Sequence, residues 1–204
     1  MNAKRPAALG SKAHTGWAVV VALAGPRGDP EIVAKRRIEM AATFDDAAIY
    51  HAARELSFSR AEAFVRASEE AFERAARAAI SALAAELGAA GFELVASAVA
   101  SGNGKPLPPL EAILRSHALV HAAEGELFRR VLAKASESCR IPSAFVPARE
   151  LTSRAVQAVG IPEAQLAMRL ASLGKASGRP WTKDHKESAL AAWIALASPR
   201  RRRE

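Results

Sequence analysis

Eight consecutive apolar residues, Trp17-Ala-Val-Val-Val-Ala-Leu-Ala24, constrain this chain more than any other segment. The run is far shorter than the roughly 18 residues of a membrane span and rich in β-branched valine, so it predicts a strand. An uninterrupted apolar strand is covered on both faces, which calls for a central strand in a sheet with layers above and below. Residues 31–40 behave differently: Ile32, Ala34, Ile38 and Met40 alternate with Lys35, Arg37 and Glu39, the pattern of a half-exposed strand. Residues 41–58 show no clean period and read as a connection with at most a turn of helix.

Ser59-Arg-Ala-Glu62 has the spacing of a capping box, and the apolar stripe Phe64, Ala71, Phe72, Ala75, Ala79, Leu83, Leu87 predicts a long helix ending at Gly88 or Gly91. Residues 92–99 predict a strand, 100–109 a surface loop, and Leu110 the start of a single helix running to about Ala135. A short buried strand at 143–147 follows, then helices at 148–159, 162–173 and 183–197. Strands alternating with helices argue for one α/β domain with a partly parallel sheet. Half of the 204 residues are apolar, but alanine supplies much of that share, so the helices are expected to pack closely through small side chains.

The net charge of +8 invites a nucleic-acid reading until it is located. Arg200, Arg201, Arg202 and Arg203 with Glu204 carry +3, and Lys4 with Arg5 carry +2, leaving +3 for the rest of the chain. Either the arginine tail is a solvated end or it contacts phosphate. Cys139 stands alone, which excludes an intrachain disulfide and points to a reducing, cytoplasmic setting. A secreted alternative remains open, because Lys4, Arg5, the apolar run and Ala22-Leu23-Ala24 before Gly25 also resemble a leader over residues 1–24.

Within the helix expected from Leu110, His117, His121 and Glu124 fall on one side among Val120, Phe128 and Val131, and are expected to face inward. Two imidazoles one turn apart with a carboxylate a turn further on suit zinc or manganese, seat a general base, or pack as satisfied core histidines. A divalent metal is the cofactor such a site would take. Tyr50-His51 reads as part of an exposed loop, or else of a pocket, and Trp181 and Trp193 as core or interface anchors. Gly10-Ser-Lys12 and Ser101-Gly-Asn-Gly-Lys105 lack P-loop spacing.

Three stretches carry a family resemblance: "LGSKAHTGWAVV" (9–20), "VASAVASGNGKPLPPLEAILRSHALVHAAEG" (95–125) and "DHKESALAAWIAL" (184–196). In order and spacing they resemble the RNase H-like fold, in its RuvC-type Holliday-junction resolvase branch. The resemblance implies a mixed sheet layered by helices over residues 9–198, a flexible arm at 1–8 and a basic tail at 199–204. It also implies DNA or RNA as partner and a homodimer, with no membrane. Resolvases of this type hold two divalent cations with clustered carboxylates. Here Lys12 stands where the first Asp belongs and Ser97 where the Glu belongs, so Asp184 and Glu187 remain as catalytic candidates; Lys12 and His14, just before the first strand, read either as a solvated pair or as part of a ligand pocket at a strand end, with Ser97 a further pocket candidate. The expectation is a protein that has lost nucleolytic chemistry and binds nucleic acid or acts as a scaffold. Its rival is a phosphoester hydrolase rebuilt around His117, His121 and Glu124.

Overall fold

The computed structural model describes residues 3–102 and 106–198. Five strands form one sheet: β1 (Arg5–His14), β2 (Trp17–Ala24), β3 (Glu31–Glu39), β4 (Phe92–Ser101) and β5 (Ser143–Pro147). Their order is β3-β2-β1-β4-β5, antiparallel across β3, β2 and β1 and parallel across β1, β4 and β5. The β1–β2 hairpin turns at Thr15-Gly16, with Gly16 at φ 84°, a left-handed position that glycine takes without strain.

Residues 5–8, expected in a flexible arm, are instead the first turns of pairing in the middle strand. Arg5 is opposite Phe92, and Ala7 and Ala8 are fully buried. Residues 5–24 build the two strands at the heart of the sheet, so a leader cleaved before Gly25 would remove both. Strand β3 lies at one edge, as its alternation implies. A register shift between Ala22 and Leu23 turns Ile32 towards the opposite face from Ala34 and Ile38. Strand β5 forms the other edge, and Phe145 is exposed there, against the expectation of a buried strand.

Helices cover both faces. On one lie α1 (Phe44–Ala47), α2 (Ile49–Ala53), α3 (Phe58–Ala89), α4 (Leu110–Arg115) and α5 (His117–Ser138). Leu9, Val20, Ile80, Leu83, Leu127 and Phe128 belong to the core on that side. On the other lie α6 (Leu151–Val159), entered through a 3-10 turn at 148–150, α7 (Glu163–Ser177) and α8 (Lys183–Ala197), around Val21, Leu23, Leu166 and Trp193.

The capping box expected at Ser59 is absent: Ser57 caps α3 without a side-chain bond, and the reciprocal pair forms at Thr43 and Asp46, heading α1. The helix expected from Leu110 breaks at Ser116, whose extended backbone and hydroxyl, accepting from the Leu119 N–H at 3.4 Å, start α5 afresh. Helix α8 has the predicted bounds and lies directly on β1. A Cβ at Gly10 would sit 1.9 Å from the Ser188 carbonyl oxygen and 2.3 Å from the Ala192 nitrogen, so only glycine lets strand and helix come so close. The Ser188 hydroxyl donates to the Val19 carbonyl and the Trp193 indole to that of Arg27, locking α8 at both ends of the contact.

Candidate functional site

The close approach of α8 to β1 decides what happens at the carboxyl end of β1. Strand parity sends Gly10, Lys12 and His14 to the α8 side. There the Lys12 ammonium lies 2.6 Å from Glu187 Oε2, and His14 Nε2 lies 3.2 Å from Asp184 Oδ2. Lys183 adds a second cation 3.6 Å from Glu187 Oε1. The Lys12 and Glu187 side chains keep only 23% and 14% of their accessible surface, so this pair is partly shielded from solvent. Neither short contact is aligned as a hydrogen bond: among the described residues, Glu187 Oε2 and His14 Nε2 have no hydrogen-bond partner. For Lys12 and Glu187 the attraction is therefore between charges rather than through a shaped bond. His14 is held by stacking on Trp17, ring centroids 4.2 Å apart, and the Arg37 guanidinium also lies over the indole, at 3.7 Å.

Ser97 is not part of this group. It is paired with Leu9, three residues short of Lys12, and with Val99 it faces the α3–α5 side of the sheet. Its hydroxyl donates to the Pro142 carbonyl at 3.3 Å. The residue level with Lys12 on β4 is Ala100. The strand-end set is thus two carboxylates, each facing a basic side chain, with no third acid beside them on β1 or β4. Two divalent cations need several hard oxygen ligands free of competing charge, and these residues do not fit that requirement.

A second polar group lies on the opposite face. His117 and His121 are exposed rather than inward, at the edge of the buried stripe of α5, while Glu124 is 3% exposed. His51, expected in a loop, belongs to α2 and joins them: one nitrogen from each of His51, His117 and His121 lies within 4.8 Å of the other two. His117 Nε2 and His121 Nε2 are 3.1 Å apart. Glu124 Oε1 accepts from His51 at two points, the ring Nδ1 at 2.8 Å and the backbone N–H at 3.3 Å. Next to it Tyr50 is buried and donates to Glu69 at 2.9 Å, and burial together with that carboxylate pushes its phenol pKa well up. Tyr50 also lines an open pocket of about 500 Å³ with Leu107 and Arg130.

No protein-family model matches the chain, and no curated protein sequence does. Solved structures do. RuvC of Thermus thermophilus superposes with a TM-score of 0.53 at 7% identity over 92% of each chain. The fold is RuvC-like. The T. thermophilus RuvC in complex with a Holliday junction substrate gives 0.54, again at 7% identity, over 93% of this chain and 92% of that one. The RNase H-like sheet layered by helices is therefore the architecture of nearly the whole chain. The likeness at 7% identity lies in the backbone and carries no residue roles with it. Arg200–Arg203 lie outside the described residues. No helix among the described residues is long and apolar enough to cross a membrane.

Proposed function

We propose that this protein is a nucleic-acid-associated, non-nucleolytic member of the RuvC-like architecture, serving as a binding or scaffolding component, cytoplasmic and acting as a homodimer. The observation that carries this reading is the Lys12 ammonium at 2.6 Å from Glu187, with His14 beside Asp184. A divalent cation entering there would have to displace one positive charge and sit close to others, at a place where Coulomb repulsion is only partly screened. The frame is kept while the Glu187 charge that would recruit metal is matched by Lys12 from within. A structurally similar protein is described with a Holliday junction, which makes branched DNA the first ligand to test.

The test is fluorescence anisotropy with single-stranded, duplex and four-way-junction DNA across a salt series, on the full chain and on one ending at Pro199. Junction-preferring binding that survives removal of Arg200–Arg203, with affinity falling log-linearly in salt, is expected. Binding that disappears with the tail would mean that the folded domain has no recognition surface. Metal-dependent turnover of a phosphodiester, lost in His117→Ala, would replace this reading with that of a hydrolase.

A further inference from the structure

We infer that His51, His117 and His121 form a binding site for a zinc-class divalent metal, open at its fourth position, with Glu124 orienting His51. The inference is independent of the nucleic-acid role. The three residues come from two elements: α5 supplies His117 and His121 one turn apart, and α2 brings His51 across to them. A tetrahedral ion with Zn–N bonds of about 2.0–2.1 Å sets its ligand nitrogens about 3.3 Å apart. The 3.1 Å between the Nε2 atoms of His117 and His121 is close to that edge, and one nitrogen from each of the three rings, His51 included, lies within 4.8 Å of the other two. His117 and His121 are exposed, so rotation of their rings would close the remainder.

A hydrogen bond between His117 and His121 accounts for two of the rings but not for the third. His51 is fixed separately by the buried carboxylate of Glu124 at its Nδ1. A histidine whose Nδ1–H is given to a carboxylate presents a more basic Nε2 lone pair, the usual arrangement behind a metal-bound imidazole. Three neutral imidazoles suit zinc, cobalt(II), nickel(II) or copper(II) rather than magnesium or calcium, which prefer oxygen. With His117 and His121 on the surface, the fourth position faces solvent, so it would take water or an exchangeable anionic oxygen ligand.

The experiment is titration of the metal-free full chain with zinc ions, and with cobalt(II) as a spectroscopic stand-in. A single equivalent should bind, cobalt should show tetrahedral d–d bands, and zinc at a hundredfold excess over Kd should raise Tm by about 5–10 °C. His51→Ala should weaken binding at least as much as His121→Ala. Glu124→Gln, which keeps the side-chain shape, should weaken it about 10–100-fold. Affinity unchanged in His51→Ala would reveal an ordinary surface chelate by His117 and His121 and overturn the inference, as would no uptake at all. Circular dichroism of each variant separates loss of the site from loss of the fold; if His51→Ala unfolds, Glu124→Gln decides.

Discussion

Replacing Gly10 by alanine tests the contact on which the strand-end group depends. The added methyl would begin 1.9 Å from the Ser188 carbonyl oxygen and 2.3 Å from the Ala192 nitrogen, where ordinary contact starts near 3.4 Å. Both obstacles are backbone, so no rotamer change relieves them, and α8 must retreat by on the order of 1 Å or more. That shift would loosen fully buried Trp193, Ala189, Ala191 and Ala192 from the sheet. Overpacking a core typically costs about 1–3 kcal/mol, and immovable backbone on both sides puts this case at about 3–5 kcal/mol. For a chain of this size the loss corresponds to a fall in Tm of about 6–20 °C. Thermal and urea unfolding followed by circular dichroism measure it. Gly28→Ala is the control, because its nearest neighbour would be the Arg169 side chain at 4.0 Å, and it should stay within about 0.5 kcal/mol. If Gly10→Ala unfolds within about 2 °C of the parent, the close packing of α8 on β1 is not what holds this face together.

Two further perturbations address the charges. Lys12→Ala leaves the Glu187 carboxylate facing only exposed Lys183, and should cost about 1–2 kcal/mol, between the values for exposed and buried ion pairs. A double-mutant cycle with Glu187→Gln should show coupling of that order, and strict additivity would mean the pair is incidental. His185 is buried and caps α8, its Nδ1 accepting from the Thr182 N–H. Burial first, and then the Lys35 charge, hold its pKa below the ordinary value of about 6.5, with Asp184 opposing. The folded state therefore binds fewer protons than the unfolded chain. The neutral cap is fully in place above about pH 6.5, and stability falls as pH drops through the range below it. His185→Gln should flatten that acid limb in urea midpoints measured against pH; an unchanged slope would move the effect elsewhere.

Much of the architecture was legible from local pattern. Helix α8, strand β2 and the alternating edge strand β3 follow from apolar spacing alone, and the family resemblance anticipated the RuvC-like order. The middle strand was the hardest to see, for a physical reason. Its outward positions towards α8 are Ala8, Gly10, Lys12 and His14, small or polar because a helix and a charge pair lie against them, so no apolar signal is left. Ser97 was placed with Lys12 because linear spacing does not carry strand parity or the register shift at Ala7/Ala8. The break at Ser116 was hidden by apolar residues continuing across it, although a serine three residues before Leu119 is a legitimate helix start. His51 could not be linked to His117 and His121 from sequence, since the contact joins positions some 70 residues apart and only the packing of α2 on α5 creates it. The expected inward direction of the two α5 histidines failed by about one helical step, which left Glu124 alone inside.

The measurement that bears most directly on the proposed role is a four-way junction assay in which binding and strand cleavage are followed in the same samples, with magnesium and with manganese. Binding without nicking under either metal is expected, because the Lys12 ammonium already faces Glu187 and His14 occupies the place beside Asp184. Metal-dependent nicking that Asp184→Asn abolishes would contradict it, and would mean that the ion pairs open to admit the catalytic cations.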